Sequence, residues 1–226
     1  MKKIGVLLHG CGVFDGTEIQ EAVLTMLAIK EAGADYICLA PNVTQHHVLN
    51  HITGEEMPET RSVLIESARI ARGEILDIEN VNLAELDGIA MPGGFGTAKN
   101  ITTWAFEGPH GAINPTVQQF LVGAIKMKIP IAALCMSPTT LAKALEGSGF
   151  AATLTVGSTA EASPYDIAGI AEGIASIGHH HQMATINEIA IDSALKIVTA
   201  PCYMMEASIM DVRNNIKQAI DALLEL

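Results

Sequence analysis

The sequence predicts an α/β fold, a mostly parallel open sheet with helices on both faces, and three observations carry that prediction. The chain opens with "KIGVLL", the glycine-rich "HGCGVFDG", the helix-like "TEIQEAVLTMLAIKEAG" and a second apolar run, "ADYICLAP". That is the strand, helix, strand order from which a parallel sheet is built. Further on, "IPIAAL" is apolar without alternation, as strands buried on both faces are. Finally, "AMPGG" sets two glycines at the end of an apolar run, at the sheet edge where open α/β folds bind ligands.

Each element has its own signal. "KIGVLL" is short, β-branched and aliphatic. In the helix that follows, Ile19, Val23, Met26, Leu27 and either Ile29 or Lys30 fall at helical spacing, and Gly33 closes it. Asp15 is placed to cap this helix, with Glu18 answering three residues on, as in a capping box. Asp15, Glu18 and Glu21 share one helical side, and acidic residues suit a helix start. This accounts for Asp15 and Glu18 and leaves Glu21, one turn further in, unexplained. "PETRSVLIESARIARG" reads as a helix with Pro58 in its first turn and Gly73 beyond its end. Strands follow at "EILDI" and "LDGIAMPGG", then a helix at "NPTVQQFLVGAIKMK" starting at Asn114 with Pro115 just inside. After the "IPIAAL" strand come a helix at "TTLAKAL", strands at "TLTVG", "NEIAI" and "KIVTAP", and a long amphipathic helix at "MEASIMDVRNNIKQAIDALLEL". No repeat or linker interrupts the series, so one domain spanning 1–226 is expected.

Composition narrows the function classes. Hydrophobic residues make up 49% and charged residues 17%, enough apolar surface for a sizeable core. A net charge of -12 argues against a surface that neutralises phosphates or anionic lipids. Neither nucleic acid nor a membrane is an expected partner, and no stretch approaches the roughly 20 apolar residues of a membrane span. The opening "MKKIGVLLHGC" mimics a lipoprotein export signal, but its apolar core runs only from Ile4 to Leu8, short of the roughly 7 residues such a signal needs. Cys11, Cys38, Cys135 and Cys202 are widely spaced with no C-x-x-C pair, as suits free thiols in a reducing compartment. A cytoplasmic location is the expectation.

The candidate sites divide sharply. Gly10 and Gly12 supply a G-x-G, but Gly16 comes one residue late and "YICLAP" ends without the carboxylate a ribose needs. The turn lacks the lysine and hydroxyl of a phosphate loop as well, so no cofactor is called for. His179, His180 and His181 are adjacent, and neighbours in a strand point to opposite faces. His46, His47 and His51 add no convergent geometry beyond the four-residue spacing of His47 and His51, so packed or exposed histidines are the default. Cys135 follows a strand and precedes a helix, the context of a nucleophile elbow, near a helix N-terminus that favours thiolate. The usual flanking glycines are replaced by Ala133 and Ser137. On periodicity alone the position suits a core thiol and a nucleophile equally.

Taken together, "LDGIAMPGGFGTAKN", "IPIAALCMSPTTLAKAL" and "KIVTAPCYM" are similar to the PfpI branch of the class I glutamine amidotransferase-like superfamily. Within it, "KIGVLLHGCGVFDGTEIQEAVLTMLAI" and "NHITGEEMPETRSVLIESARIARGEI" look like the ElbB-type proteins, and the likeness covers essentially the whole chain. The resemblance implies a flavodoxin-like three-layer sandwich, a homodimer, and one cysteine at a strained elbow, matched here by Cys135. It also implies a glutamate of the first helix sharing a hydrogen bond with that cysteine. Counting back from Gly33, Glu21 matches it without a gap, and Glu18 is the second choice should the turn's insertion fall differently. The oxyanion donors match the backbone N–H groups of Gly94 and Met136. The chain departs from the protease-like members, which carry histidine where Met136 stands, and from the glutaminases, whose late His-x-Glu is not supplied by "HHHQM". The late residue that faces Cys135 stays open, with His181 one candidate.

A cysteine without a base still attacks reactive electrophiles, whereas an unactivated amide is beyond it. With the resemblance, this implies a cofactor-independent glyoxalase acting on a small aldehyde such as glyoxal or methylglyoxal, with deglycase repair of early aldehyde adducts as a companion activity. Cys135 would form the hemithioacetal, Glu21 would move a proton, and the Gly94 and Met136 amides would hold the oxyanion. A second expectation is a redox-responsive regulatory protein whose Cys135 is oxidised. An amidotransferase subunit would need a base that the sequence does not supply.

Overall fold

The computed structural model describes residues 1–226. Seven strands form the central sheet: β1 (Lys3–Leu7), β2 (Asp35–Ala40), β3 (Ile75–Asp77), β4 (Gly88–Met91), β5 (Ile131–Leu134), β6 (Ala190–Asp192) and β7 (Ile197–Ala200). Their spatial order is β6-β7-β5-β4-β1-β2-β3. Every pairing is parallel except that of β6 with β7, where the chain turns back to close one edge. The helices are α1 (Ile19–Glu31), α2 (Val63–Ile70), α3 (Trp104–Glu107), α4 (Pro115–Lys126), α5 (Ser137–Leu145), α6 (Ile167–Ser176) and α7 (Ile209–Glu225). Packing of α1 on α7 and of α4 on α5 completes the flavodoxin-like three-layer sandwich that the sequence predicts.

The central strands form because nothing in them resists burial. Ile131, Ala132, Ala133 and Leu134 of β5 are all at 0% exposure, and the two alanines leave room for helices on either face. Helix starts are set by side chains that satisfy free N–H groups. Asn114 Oδ1 accepts from Thr116 and Val117 at 3.0 and 3.1 Å, with Pro115 first in α4. Ser208 and Asp211 form a reciprocal capping box on α7.

Four local expectations are corrected. Glu18, not Asp15, caps α1: its Oε2 accepts the Glu21 N–H at 2.6 Å. Asp15 is buried in the preceding turn and accepts the Leu49 N–H at 2.7 Å, tying that turn to the short antiparallel pair Val48–Leu49 with Glu56–Met57. Pro58 lies outside α2, which Ser62 caps. "TLTVG" stays out of the main sheet, with Thr153–Leu154 pairing with His180–His181 instead. The apolar stripe Ile19, Val23 and Leu27 is exposed. Helix α1 turns Met26 and Ile29 of the expected set inward together with Ala22, Thr25 and Ala28, and the three smaller side chains let it lie close to the layer beneath.

Candidate active site

Parallel pairing sets the carboxyl ends of β1, β4, β5 and β7 side by side, and the connections that leave them converge. Cys135 follows β5 with φ 57°, a left-handed conformation that costs a non-glycine residue roughly 1–3 kcal/mol. The surroundings hold it there. Its N–H donates to the Ala200 carbonyl at 2.9 Å, and in the next residue but one Ser137 Oγ donates to the Pro92 carbonyl at 2.6 Å. The thiol is thereby turned back over β4 toward Gly93.

Gly93 explains how the thiol and a carboxyl meet. A Cβ at this position would stand 2.3 Å from Cys135 Cβ, 2.7 Å from Cys135 Sγ and 2.6 Å from Glu21 Oε2. Only a glycine leaves that space free. Glu21, at 0% exposure, accepts the Gly93 N–H on Oε2 at 2.9 Å and the Tyr203 N–H on Oε1 at 3.2 Å, and it shares a hydrogen bond with the Cys135 thiol. Burial pushes its carboxyl up to about 8, with the Glu18 charge adding to the shift, so it carries its proton at neutral pH. Burial also raises the Cys135 thiol well above its ordinary value, and the charges of Glu21 and Cys202 act in the same direction, while the Gly94 N–H pointed at the sulfur opposes them. The thiol and carboxyl titrate as a coupled pair, and loss of one proton from it hinders loss of the second.

The other expected residues gather round the same pocket, a small apolar recess whose wall includes Glu18, Gly94, Cys135 and Met136. Gly94 has φ +105°, and a Cβ there would come within 2.3 Å of the Glu18 nitrogen, so the turn after β4 and the start of α1 fit together only through a glycine. Met136 occupies the N-cap position of α5, where free N–H groups and the helix dipole favour negative charge. Glu18 faces the pocket as well as capping α1, and burial raises its carboxyl.

No histidine takes part. His181 Nε2 accepts the Val156 N–H at 3.1 Å, and His179 is buried between the Ala152 N–H and the Ala142 carbonyl. His181 is therefore engaged elsewhere and is not the late residue that faces Cys135. That place belongs to the 3₁₀ turn after β7, Cys202–Met204. Cys202 has φ 47°, is fully buried, and its thiol lies against the Cys135 backbone N–H. His9 lies under the site, its Nε2 at 3.1 Å from the Pro92 carbonyl. Burial lowers it to about 4, so it is neutral and supports the β4 turn. His47 lies 3.2 Å from Lys99 Nζ, and His51 Nε2 accepts the Phe14 N–H. Sequence periodicity marks neither Gly93, Tyr165 nor Tyr203 as site residues, because their roles arise from the approach of strands distant in the chain.

No family model matches the chain. It is similar to the human "Glutamine amidotransferase-like class 1 domain-containing protein 3, mitochondrial", at 37% identity over 99% of this chain and 83% of that protein. The rat "ES1 protein homolog, mitochondrial" is 36% identical over 99% of this chain and 84% of its own length. Among solved structures, an isoprenoid biosynthesis protein with an amidotransferase-like domain from Ehrlichia chaffeensis superposes with a TM-score of 0.89 at 31% identity, covering 100% of this chain and 99% of that one. DJ-1beta of Drosophila melanogaster, at 15% identity over 99% of this chain and 94% of its own with a TM-score of 0.55, shares the fold alone.

These names overturn the expectation of a cytoplasmic protein, since both relatives are named as mitochondrial. Free, widely spaced cysteines report a reducing environment, and that property does not separate the cytosol from other reducing compartments. The length and identity of the shared sequence, together with the common fold, lead to one conclusion: the chain belongs to the glutamine amidotransferase-like class 1 family.

Proposed function

We propose that the protein is a cofactor-independent enzyme of the ElbB type that converts small α-oxoaldehydes, such as glyoxal or methylglyoxal, into hydroxy acids. The observation that carries the proposal is a cysteine in a left-handed elbow hydrogen-bonded to a buried, protonated glutamate beneath a small apolar pocket. Cys135 Sγ adds to the aldehyde carbon, and the Gly94 and Met136 amides hold the oxygen as charge develops. The proton leaving the thiol passes to that oxygen. Glu21, once ionised, takes the C1 proton of the hemithioacetal and returns it to C2. The resulting thioester is hydrolysed by water, which frees the thiol and the hydroxy acid. Water is added and no electron acceptor is consumed. Deglycase repair draws on the same chemistry, since adduct and free aldehyde interconvert.

The relatives' names make a mitochondrial setting part of this proposal, and the resemblance makes a homodimer part of it. A second reading, redox regulation through Cys135, is favoured by the buried Cys202 thiol beside it. Lactate formed from methylglyoxal by the wild type, Cys135→Ala and Glu21→Gln separates the readings. The enzyme reading expects both variants to lose activity by about 100-fold or more. A wild type no faster than Cys135→Ala sinks it, and peroxide modification of Cys135 then becomes the quantity to follow.

A further inference from the structure

Two phenols stand in the wall of the Cys135 pocket, and they are in different states. Tyr203 is committed: its O–H donates to Gln20 Oε1 and its N–H to Glu21. The Tyr165 hydroxyl has no partner in the protein; burial and the acids around it are the only influences on its ionisation.

Yet the Tyr165 ring is held firmly. It meets Phe95 edge-on with centroids 5.7 Å apart. Its N–H donates to Ser163 Oγ at 3.0 Å, and that hydroxyl donates to the Met204 carbonyl at 2.6 Å. Its carbonyl accepts the Ile167 N–H at 3.0 Å, where α6 begins. The loop carrying Tyr165 is thus clamped to the turn after β7 that also supplies the Glu21 partner Tyr203. Burial raises the hydroxyl to about 12, and Cys135, Glu21 and Glu18 add to the shift. It stays a donor throughout any reaction in the pocket.

The chemistry proposed above leaves one oxygen without a partner. In the hemithioacetal of an α-oxoaldehyde, the C1 oxygen lies with the Gly94 and Met136 amides. When the C1 proton moves to Glu21, the electron pair it leaves flows to the oxygen on C2, giving an enediolate. We propose that the Tyr165 hydroxyl donates to this C2 oxygen, and so selects 1,2-dicarbonyl substrates over simple aldehydes. The inference rests on the α-oxoaldehyde reading and adds to it the group that stabilises the enediolate.

Tyr165→Phe keeps the ring and removes only the donor. The expected result is a fall in kcat for methylglyoxal and glyoxal of about 10- to 100-fold, with the unfolding midpoint and the rate of Cys135 alkylation by iodoacetamide unchanged. If alkylation falls in step with turnover, Tyr165 positions the thiol and the inference is wrong. If the wild type turns over and Tyr165→Phe matches it, the inference fails while the aldehyde reading stands. If the wild type is no faster than Cys135→Ala, both fail together.

Discussion

A carboxyl buried without a countercharge keeps its proton, and Glu21 is held by two backbone N–H groups and a thiol instead of a cation. Activity that depends on an ionised Glu21 should therefore rise with pH through about 8, and this limb should vanish from the profile of Glu21→Gln. Stability runs the other way. The folded value lies above the unfolded one of 4.5, so this contribution is fully present below the unfolded value and is lost as pH rises through about 8. Urea unfolding at about pH 5 and about pH 9 should show the wild type losing more stability than Glu21→Gln; equal losses would contradict the buried protonated carboxyl. Gly93 offers a second test at this scale. A Cβ 2.3 Å from Cys135 Cβ and 2.6 Å from Glu21 Oε2 must push the pair apart. Gly93→Ala should abolish turnover and cost about 1–3 kcal/mol of stability, and a variant that stays active would show that the pair tolerates separation.

Helix α1 shows how local and tertiary demands divide one element. Its start depends on Glu18, so Glu18→Ala should lower stability by about 1 kcal/mol and reduce turnover less than Glu21→Gln does; the reverse order would make Glu18 the proton carrier. Asn114 with Pro115 made the start of α4 legible because the cap lies within three residues of what it caps, whereas α7 begins at Ile209, after the Ser208 cap, and not at Met205 as its amphipathic stretch suggested. The inward face of α1 was legible only in part. Of the periodic residues, the fold buried Met26 and Ile29 and left Ile19, Val23 and Leu27 exposed, with Ala22, Thr25 and Ala28 completing the inward face. Helix α6 left no readable pattern at all. Gly169 and Gly173 weaken its helical signal, yet a Cβ at Gly173 would come within 3.0 Å of the Trp104 ring, so packing requires the residue that propensity disfavours. Of the site, Cys135, Glu21, Gly94 and Met136 were reached through motif resemblance, and the structure gathers all four. Tyr165 and Cys202 enter from loops whose proximity to Cys135 no local pattern encodes.

Across the whole molecule, the exposed stripe of Ile19, Val23 and Leu27 is the surface on which the proposed homodimer makes its clearest prediction. Val23→Glu should shift the sedimenting mass from dimer to monomer, and a mass unchanged by the substitution would place the interface elsewhere. The molecule also has a schedule. Glu21 accepts the N–H of Tyr203, 182 residues further along the chain, and the Cys135 N–H waits for the Ala200 carbonyl. Until that last strand and the turn after it are made, Glu21 lacks the Tyr203 N–H and the Cys135 N–H lacks the Ala200 carbonyl. A chain still short of them should expose the Cys135 thiol to oxidants more than the finished fold does, where that residue is buried. Strand β7 and the turn after it bring in both late partners, so a stalled or truncated chain ending before Ala200 should carry the thiol without its protection.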